Sequence, residues 1–136
     1  MIKVAICDDD IQFIYKLEQS IFRFAEMKRI KVDVDGYTSG AEFIQKLQQS
    51  ERYDLLFLDI ELGDSSGIIV GNWIRSQIQY ESMQIVFVSA KEMYAMQLFD
   101  LRPMNFLVKP IQQERVDYIL DEYERLYQFQ PHIIEI

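Results

Sequence analysis

Five short apolar runs, each followed by a stretch with helical spacing, constrain this chain more than any other feature. The first run is Ile2-Lys3-Val4-Ala5-Ile6-Cys7, and Ile14, Leu17, Ile21 and Phe24 then recur at helical intervals. Lys31-Val32-Asp33-Val34-Asp35 alternates strictly. A second helix is expected from about Ser39, with Glu42 three residues on in a capping-box pattern and Phe43, Ile44 and Leu47 on its apolar side. The third run is Leu55-Leu56-Phe57-Leu58; after a loop with Gly63 and Gly67, a third helix is expected to carry Val70, Trp73, Ile74 and Ile78. The fourth run is Ile85-Val86-Phe87-Val88, followed by a short fourth helix from roughly Lys91 to Phe99. The fifth run is Phe106-Leu107-Val108, and Val116, Ile119, Tyr123 and Leu126 mark a last helix.

Strict alternation of strand and helix predicts an α/β fold, a parallel sheet with helices on both faces. The third, fourth and fifth runs are continuously apolar, as strands covered on both faces must be. The second alternates charge with valine and suits an exposed edge. Five strands with the second at the edge give the doubly wound order 2-1-3-4-5, with five helices and a ligand-binding crevice at the carboxyl ends of the strands. The 136 residues suit one hydrophobic core. One domain is expected over residues 1–127. Pro131 ends the last helix, and the tail 128–136 has strand character in His132-Ile133-Ile134-Glu135-Ile136. It is expected to start a further domain or to pair with another element. His132 lies far from the acidic residues and is expected to be passive.

Several function classes recede. No apolar run nears the roughly 20 residues that span a bilayer. The N-terminus lacks the pattern of a signal peptide, so a cytoplasmic location and no membrane contact are expected. Cys7 is the single cysteine and reads as a small buried hydrophobe. The formal net charge of -8 argues against direct nucleic-acid binding by this segment, because such affinity comes largely from basic residues on phosphates. It leaves room for a cation.

The chemistry stands just beyond the strands. Asp8, Asp9 and Asp10 follow the first, Asp59 the third, Ser89 the fourth, and Lys109-Pro110 the fifth. In the order 2-1-3-4-5 these four strands are neighbours, about 5 Å apart. Carboxylates, a hydroxyl and an ammonium therefore converge on one edge. Carboxylates so close repel unless a cation sits between them. Oxygen ligands with open positions suit Mg2+. A carboxylate beside that ion can attack phosphorus, while Lys109 and Ser89 neutralise or hydrogen-bond the phosphoryl oxygens. Taken singly, each residue has a plainer explanation: Asp10 as a helix N-terminal acid, Ser89 as a cap, Lys109 as a strand end. Their joint occurrence at four strand ends favours a site.

Ile-Cys-Asp-Asp at 6–9, Asp-Leu-Leu-Phe-Leu-Asp at 54–59, Val-Phe-Val-Ser-Ala at 86–90 and Phe-Leu-Val-Lys-Pro at 106–110 resemble the motifs of response-regulator receiver domains of two-component systems. The resemblance covers residues 1 to about 127. It implies that Asp59 is the phosphoacceptor, that Asp9 binds Mg2+ directly and Asp8 through water, and that the Glu61 backbone carbonyl is a further ligand. It also implies that Ser89 and Lys109 hold the phosphoryl oxygens, that the Lys109-Pro110 peptide is cis, and that Phe106 is the aromatic switch residue. The loop Leu62-Gly63-Asp64-Ser65-Ser66-Gly67 departs from the usual Met-Pro-x-x-Asp-Gly and is expected to be looser. Phe106 lacks a hydroxyl, which leaves a steric switch only. Tyr94-Ala95-Met96-Gln97-Leu98-Phe99, with the Phe106–Pro110 motif, resembles the LytTR-type subgroup, whose members carry a C-terminal DNA-binding domain.

The implied partners are a sensor histidine kinase, a DNA-binding output domain outside this chain, and a second copy in a homodimer. The homodimer would form through the face of the fourth helix, fifth strand and last helix, with Met93, Tyr94, Met96 and Tyr118 as candidate surface residues. Two alternatives remain at this stage. A haloacid-dehalogenase-type phosphatase also places an aspartyl nucleophile after a strand, but Glu61 stands where it needs a second aspartate. A phosphorylation-independent interaction module would keep the fold without the switch.

Overall fold

The computed structural model describes residues 1–127, except the side chains of residues 92–96. Five parallel strands, β1 (Ile2–Cys7), β2 (Val32–Tyr37), β3 (Leu55–Asp59), β4 (Gln84–Ser89) and β5 (Asn105–Val108), form one sheet in the order β2-β1-β3-β4-β5. The expected order is therefore present. Register sets the level of each strand end: Cys7 lies beside Leu58, Asp59 beside Val88, and Ser89 beside Val108.

Four α-helices occur among the described residues: α1 (Ile11–Lys28), α2 (Gly40–Gln48), α3 (Gly67–Arg75) and α4 (Gln113–Tyr127). Every residue of β3 is buried, and the strand's period of two divides them between two cores. Leu55 and Phe57 join Leu17, Phe24 and Ile119 under α1 and α4. Leu56 and Leu58 join Phe43, Ile74 and Phe87 under α2 and α3. The edge strand β2 is half-covered, as its alternating charges predict, although Asp35 is not idle: its carboxylate accepts a 2.6 Å hydrogen bond from Tyr53, which also bonds Tyr37.

Two sequence expectations need correction. The expected fourth helix is a 3-10 segment, Glu92–Leu101. Leu98 and Leu101, three residues apart, are both buried there, and a three-residue turn stacks such positions on one face. No side-chain cap starts the segment at Lys91. Ile78, expected on α3, instead lies beyond its end in a short 3-10 turn, Ile78–Tyr80, and is exposed; Leu126 is exposed as well. The tail 128–136 with His132, and the surface roles expected of Met93, Tyr94 and Met96, lie outside the described residues.

The far end of the 3-10 segment is tied to α3 by one side chain. Arg75 donates to the carbonyls of Leu101 at 2.8 Å, Met83 at 2.8 Å and Arg102 at 3.3 Å. Replacing Arg75 with Met leaves those carbonyls without their donor. The expected cost is about 1–2 kcal/mol in denaturant unfolding, with faster amide exchange across residues 97–102.

Candidate functional site

The site is assembled by four strand ends, and each terminates its strand for a local reason. After β1, the Asp8 amide donates to Tyr37 O at 3.0 Å, the last link to β2. Asp10 then starts α1: its Oδ1 accepts from the amides of Gln12 at 2.9 Å and Phe13 at 3.4 Å. The plainer explanation of Asp10 as a helix cap therefore holds. Its own amide donates to Asp8 Oδ1 at 2.9 Å, which fixes the Asp8 carboxylate. After β3, the Glu61 amide donates to Asp59 Oδ1 at 3.2 Å. After β5, the Lys109 amide donates to Ser89 O at 2.9 Å, and the Lys109-Pro110 peptide is cis.

Asp8, Asp9 and Asp59 each bring a carboxylate oxygen within 4.8 Å of the others. Asp8 and Asp59 are buried, and Asp9 is exposed. Lys109 reaches into this cluster, with Nζ 2.9 Å from Asp8 Oδ2 and 3.8 Å from Asp59 Oδ2. The same ammonium sits 4.3 Å from the centroid of the Phe13 ring, a cation–π contact that holds it over the site. Ser89 is fully buried next door, and its Oγ accepts from the Lys91 amide at 3.0 Å. Ser89 Oγ keeps its own proton to donate.

Three carboxylates against one ammonium leave a net negative site. Burial, and then repulsion by Asp8, raise the Asp59 pKa to about 6, partly offset by Lys109 and the Glu61 amide. Burial alone would lower the Lys109 pKa, but its contact with Asp8 and the charge of Asp59 outweigh that and hold it above the usual lysine range. Asp8 Oδ2 is sealed from water and has no aligned hydrogen-bond donor; its contact with Lys109 is an ion pair alone. Three carboxylates gathered within 4.8 Å, with one ammonium among them, fit a hard divalent cation such as Mg2+. Cys7 sits beneath as the buried hydrophobe expected, its thiol pushed up to about 12 mainly by burial.

All the predicted polar residues thus gather at one edge. The Glu61 side chain points elsewhere, its carboxylate 3.4 Å from Lys91 Nζ, so any ligand role falls to its carbonyl. Phe106 is half-buried, opposite Phe87 in the register, and packs on the core under α2 and α3. Tyr118 is exposed, with the Arg115 guanidinium 5.5 Å from its ring centroid.

The loop after Asp59 is not loose. Glu61 and Ser66 form an antiparallel bridge, Ser66 caps α3 by accepting from the Ile68 amide at 3.1 Å, and Leu62 is buried. The tip is held by Asp64, whose carboxylate accepts from the amides of Gly40 at 3.1 Å and Ala41 at 3.2 Å. Those amide bonds pull the Asp64 carboxyl below the usual range. Sequence reading missed Asp64 because a lone acid in a loop has no periodicity. The one available signal was indirect: Ser39 can cap only part of α2, which leaves its first amides in need of another acceptor.

Residues 4–121 match the family described as the response regulator receiver domain, and the chain belongs to that family. It is 30% identical over 131 residues to the sensory transduction protein LytT of Bacillus cereus, covering 96% of this chain and 50% of that protein. It is 30% identical over 126 residues to the sensory transduction protein LytR of Streptococcus agalactiae, covering 93% and 49%. The chain thus spans about half the length of these relatives. Among solved structures, the response regulatory domain of mrkE from Klebsiella pneumoniae superposes with a TM-score of 0.80 at 23% identity, over 94% of this chain and 99% of that one. No helix among the described residues is long and apolar enough to cross a membrane.

Proposed function

We propose that this chain is the phosphoacceptor switch of a two-component system and that Asp59 carries the phosphoryl group. One observation carries the proposal: a buried Asp59 carboxylate stands 3.8 Å from the Lys109 ammonium and within 4.8 Å of two more carboxylates, at the open edge of the sheet. A sensor histidine kinase is the proposed donor. An Asp59 oxygen attacks the phosphorus of a phosphohistidine, the P–N bond breaks, and its electron pair stays with the imidazole. Asp8, Asp9, Asp59 and the Glu61 carbonyl would hold Mg2+, which would supply neutralisation of the phosphoryl oxygens. Lys109 supplies a second positive charge from its perch on Phe13. Ser89 turns its hydroxyl proton toward the remaining oxygen.

The new acyl phosphate changes what the neighbours face. Lys109 exchanges part of its pairing with Asp8 for the phosphoryl group, and Ser89 moves toward it. That movement vacates space beside β4 for the Phe106 ring. The ring packs against the α2–α3 core, so its inward turn repacks the surface made by the 3-10 segment, β5 and α4. Only a difference in affinity for the two arrangements shifts the population between them. The proposed readout is a homodimer through that surface and control of a DNA-binding output domain outside this chain. The proposal is a regulatory domain that catalyses its own phosphoryl transfer and no other turnover. The Glu61 carboxylate, which a haloacid-dehalogenase-type phosphatase would use as its acid, is paired with Lys91.

The test is labelling with acetyl phosphate. One hydroxylamine-labile phosphoryl group per chain is expected with Mg2+, and none when the metal is chelated. A chain that stays unlabelled, and whose elution on size exclusion ignores Mg2+ with beryllofluoride, is a phosphorylation-independent interaction module instead.

A further inference from the structure

The amides at the start of α2 have a complete account. The Ser39 side chain accepts from Glu42 at 3.1 Å, and Ser39 O accepts from Phe43 at 3.3 Å. The amides of Gly40 and Ala41 are left, and Asp64 takes both from across the loop. A carboxylate at a helix N-terminus also meets the positive end of the macrodipole. Approach is this close because Gly40 has no side chain: a Cβ there would stand 2.7 Å from Val70 Cγ2 and 3.3 Å from Leu62 Cδ1. The residue next to Asp64 faces the other way. Gly63 lies over Asp9, where a Cβ would be 3.1 Å from Asp9 Oδ2. At the base, the Glu61–Ser66 bridge and the Gly67 amide, which donates to Ile60 O at 2.8 Å, close the loop.

The four residues Leu62–Ser65 therefore form a strap fixed at its base and, through Asp64, at its tip. The strap covers Asp9 on one side and begins at Glu61 on the other. This chain lacks a proline at position 63 to stiffen it. We infer that Asp64 is a positioning residue for the metal centre, which sets Mg2+ affinity by pinning the Glu61–Ser66 strap to the first turn of α2. The inference rests on the phosphoacceptor proposal above. Asp64 does not touch the ion; it limits how far Gly63 and the Glu61 carbonyl can drift from Asp9 and Asp59. Its loss lets the same ligands sample geometries that Mg2+, which demands near-octahedral order, does not accept.

Mg2+ titration of the 136-residue chain, followed by amide NMR shifts, tests this. Asp64→Ala is expected to raise the Mg2+ dissociation constant about tenfold, the low end of what lost support of a metal's ligands costs. Asp64→Asn keeps one carboxamide oxygen for the α2 amides and is expected to recover part of that affinity. At saturating Mg2+, the rate of labelling by acetyl phosphate is expected to return to that of the unaltered chain, because the reacting groups are intact. A dissociation constant within twofold of the unaltered chain, with only the melting temperature lowered, overturns the inference and leaves Asp64 as a helix cap. An unaltered chain that shows no Mg2+ response overturns the phosphoacceptor proposal and this inference together.

Discussion

Gly67→Ala is expected to destabilise the protein by at least about 3 kcal/mol, lowering its melting temperature by about 10 °C. The cause is space, since no glycine here has positive φ. A Cβ at position 67 would lie 2.1 Å from Asp59 O, 2.8 Å from Asp59 C and 2.8 Å from Ile60 Cα. All three are backbone atoms, so no rotamer change relieves the clash. Either α3 retreats from β3 or the Asp59 carbonyl gives way. The first breaks the 2.8 Å bond from the Gly67 amide to Ile60 O, and the second turns the Asp59 side chain away from Lys109. Gly63→Ala is the control. Its Cβ meets the tip of the Asp9 side chain, which can swing aside in solvent, so stability is expected to change by less than about 0.5 kcal/mol. Equilibrium urea unfolding of both variants separates the cases; equal midpoints would mean that the α3 start tolerates a methyl group.

How much of this was legible in the chain follows from which signals repeat. Each strand announced itself by an apolar run, and parallel strands covered by helices require such runs. Strand order alone then gathers Asp8, Asp59, Ser89 and Lys109 at one edge. Ser39 and Asp10 were readable as helix starts because capping is a local act between residues two or three apart. What failed to show is non-local or unperiodic. Asp64 reaches across 24 residues to Gly40, and Arg75 across 26 to Leu101. Tyr53, just ahead of β3, bonds Asp35 on β2 across 18 residues. The 3-10 segment was read as a helix because apolar residues spaced three apart fit either winding over one or two turns. Burial of both Leu98 and Leu101 suits either winding, so the spacing alone does not choose between them.

Asp59→Asn is expected to abolish labelling by acetyl phosphate, with incorporation falling to background, and to stabilise the metal-free protein by about 2–3 kcal/mol at neutral pH. The amide cannot act as the phosphoryl acceptor that the carboxylate is, which gives the first effect. The second follows from the environment of the site. The Asp59 pKa rises from an ordinary 3.8 to about 6, mainly through burial and then through the charge of Asp8. The folded protein therefore favours protonated Asp59 more than the unfolded chain does. Between about pH 4 and pH 6 the folded state holds the extra proton, so this group's effect on stability worsens as pH rises through that window and is fully unfavourable above it. Asparagine removes the charge and keeps an oxygen for the Glu61 amide. The gap between the two proteins should be small near pH 4, widen to pH 6 and stay level beyond. Mg2+ should narrow it from the other side, because a cation bound to the folded state stabilises the unaltered chain and has less to hold in the variant. Melting curves over pH 4–8, with and without Mg2+, measure all of this. A variant less stable than the unaltered chain at pH 7 without metal would mean that Lys109 and the Glu61 amide compensate the buried Asp59 charge in full.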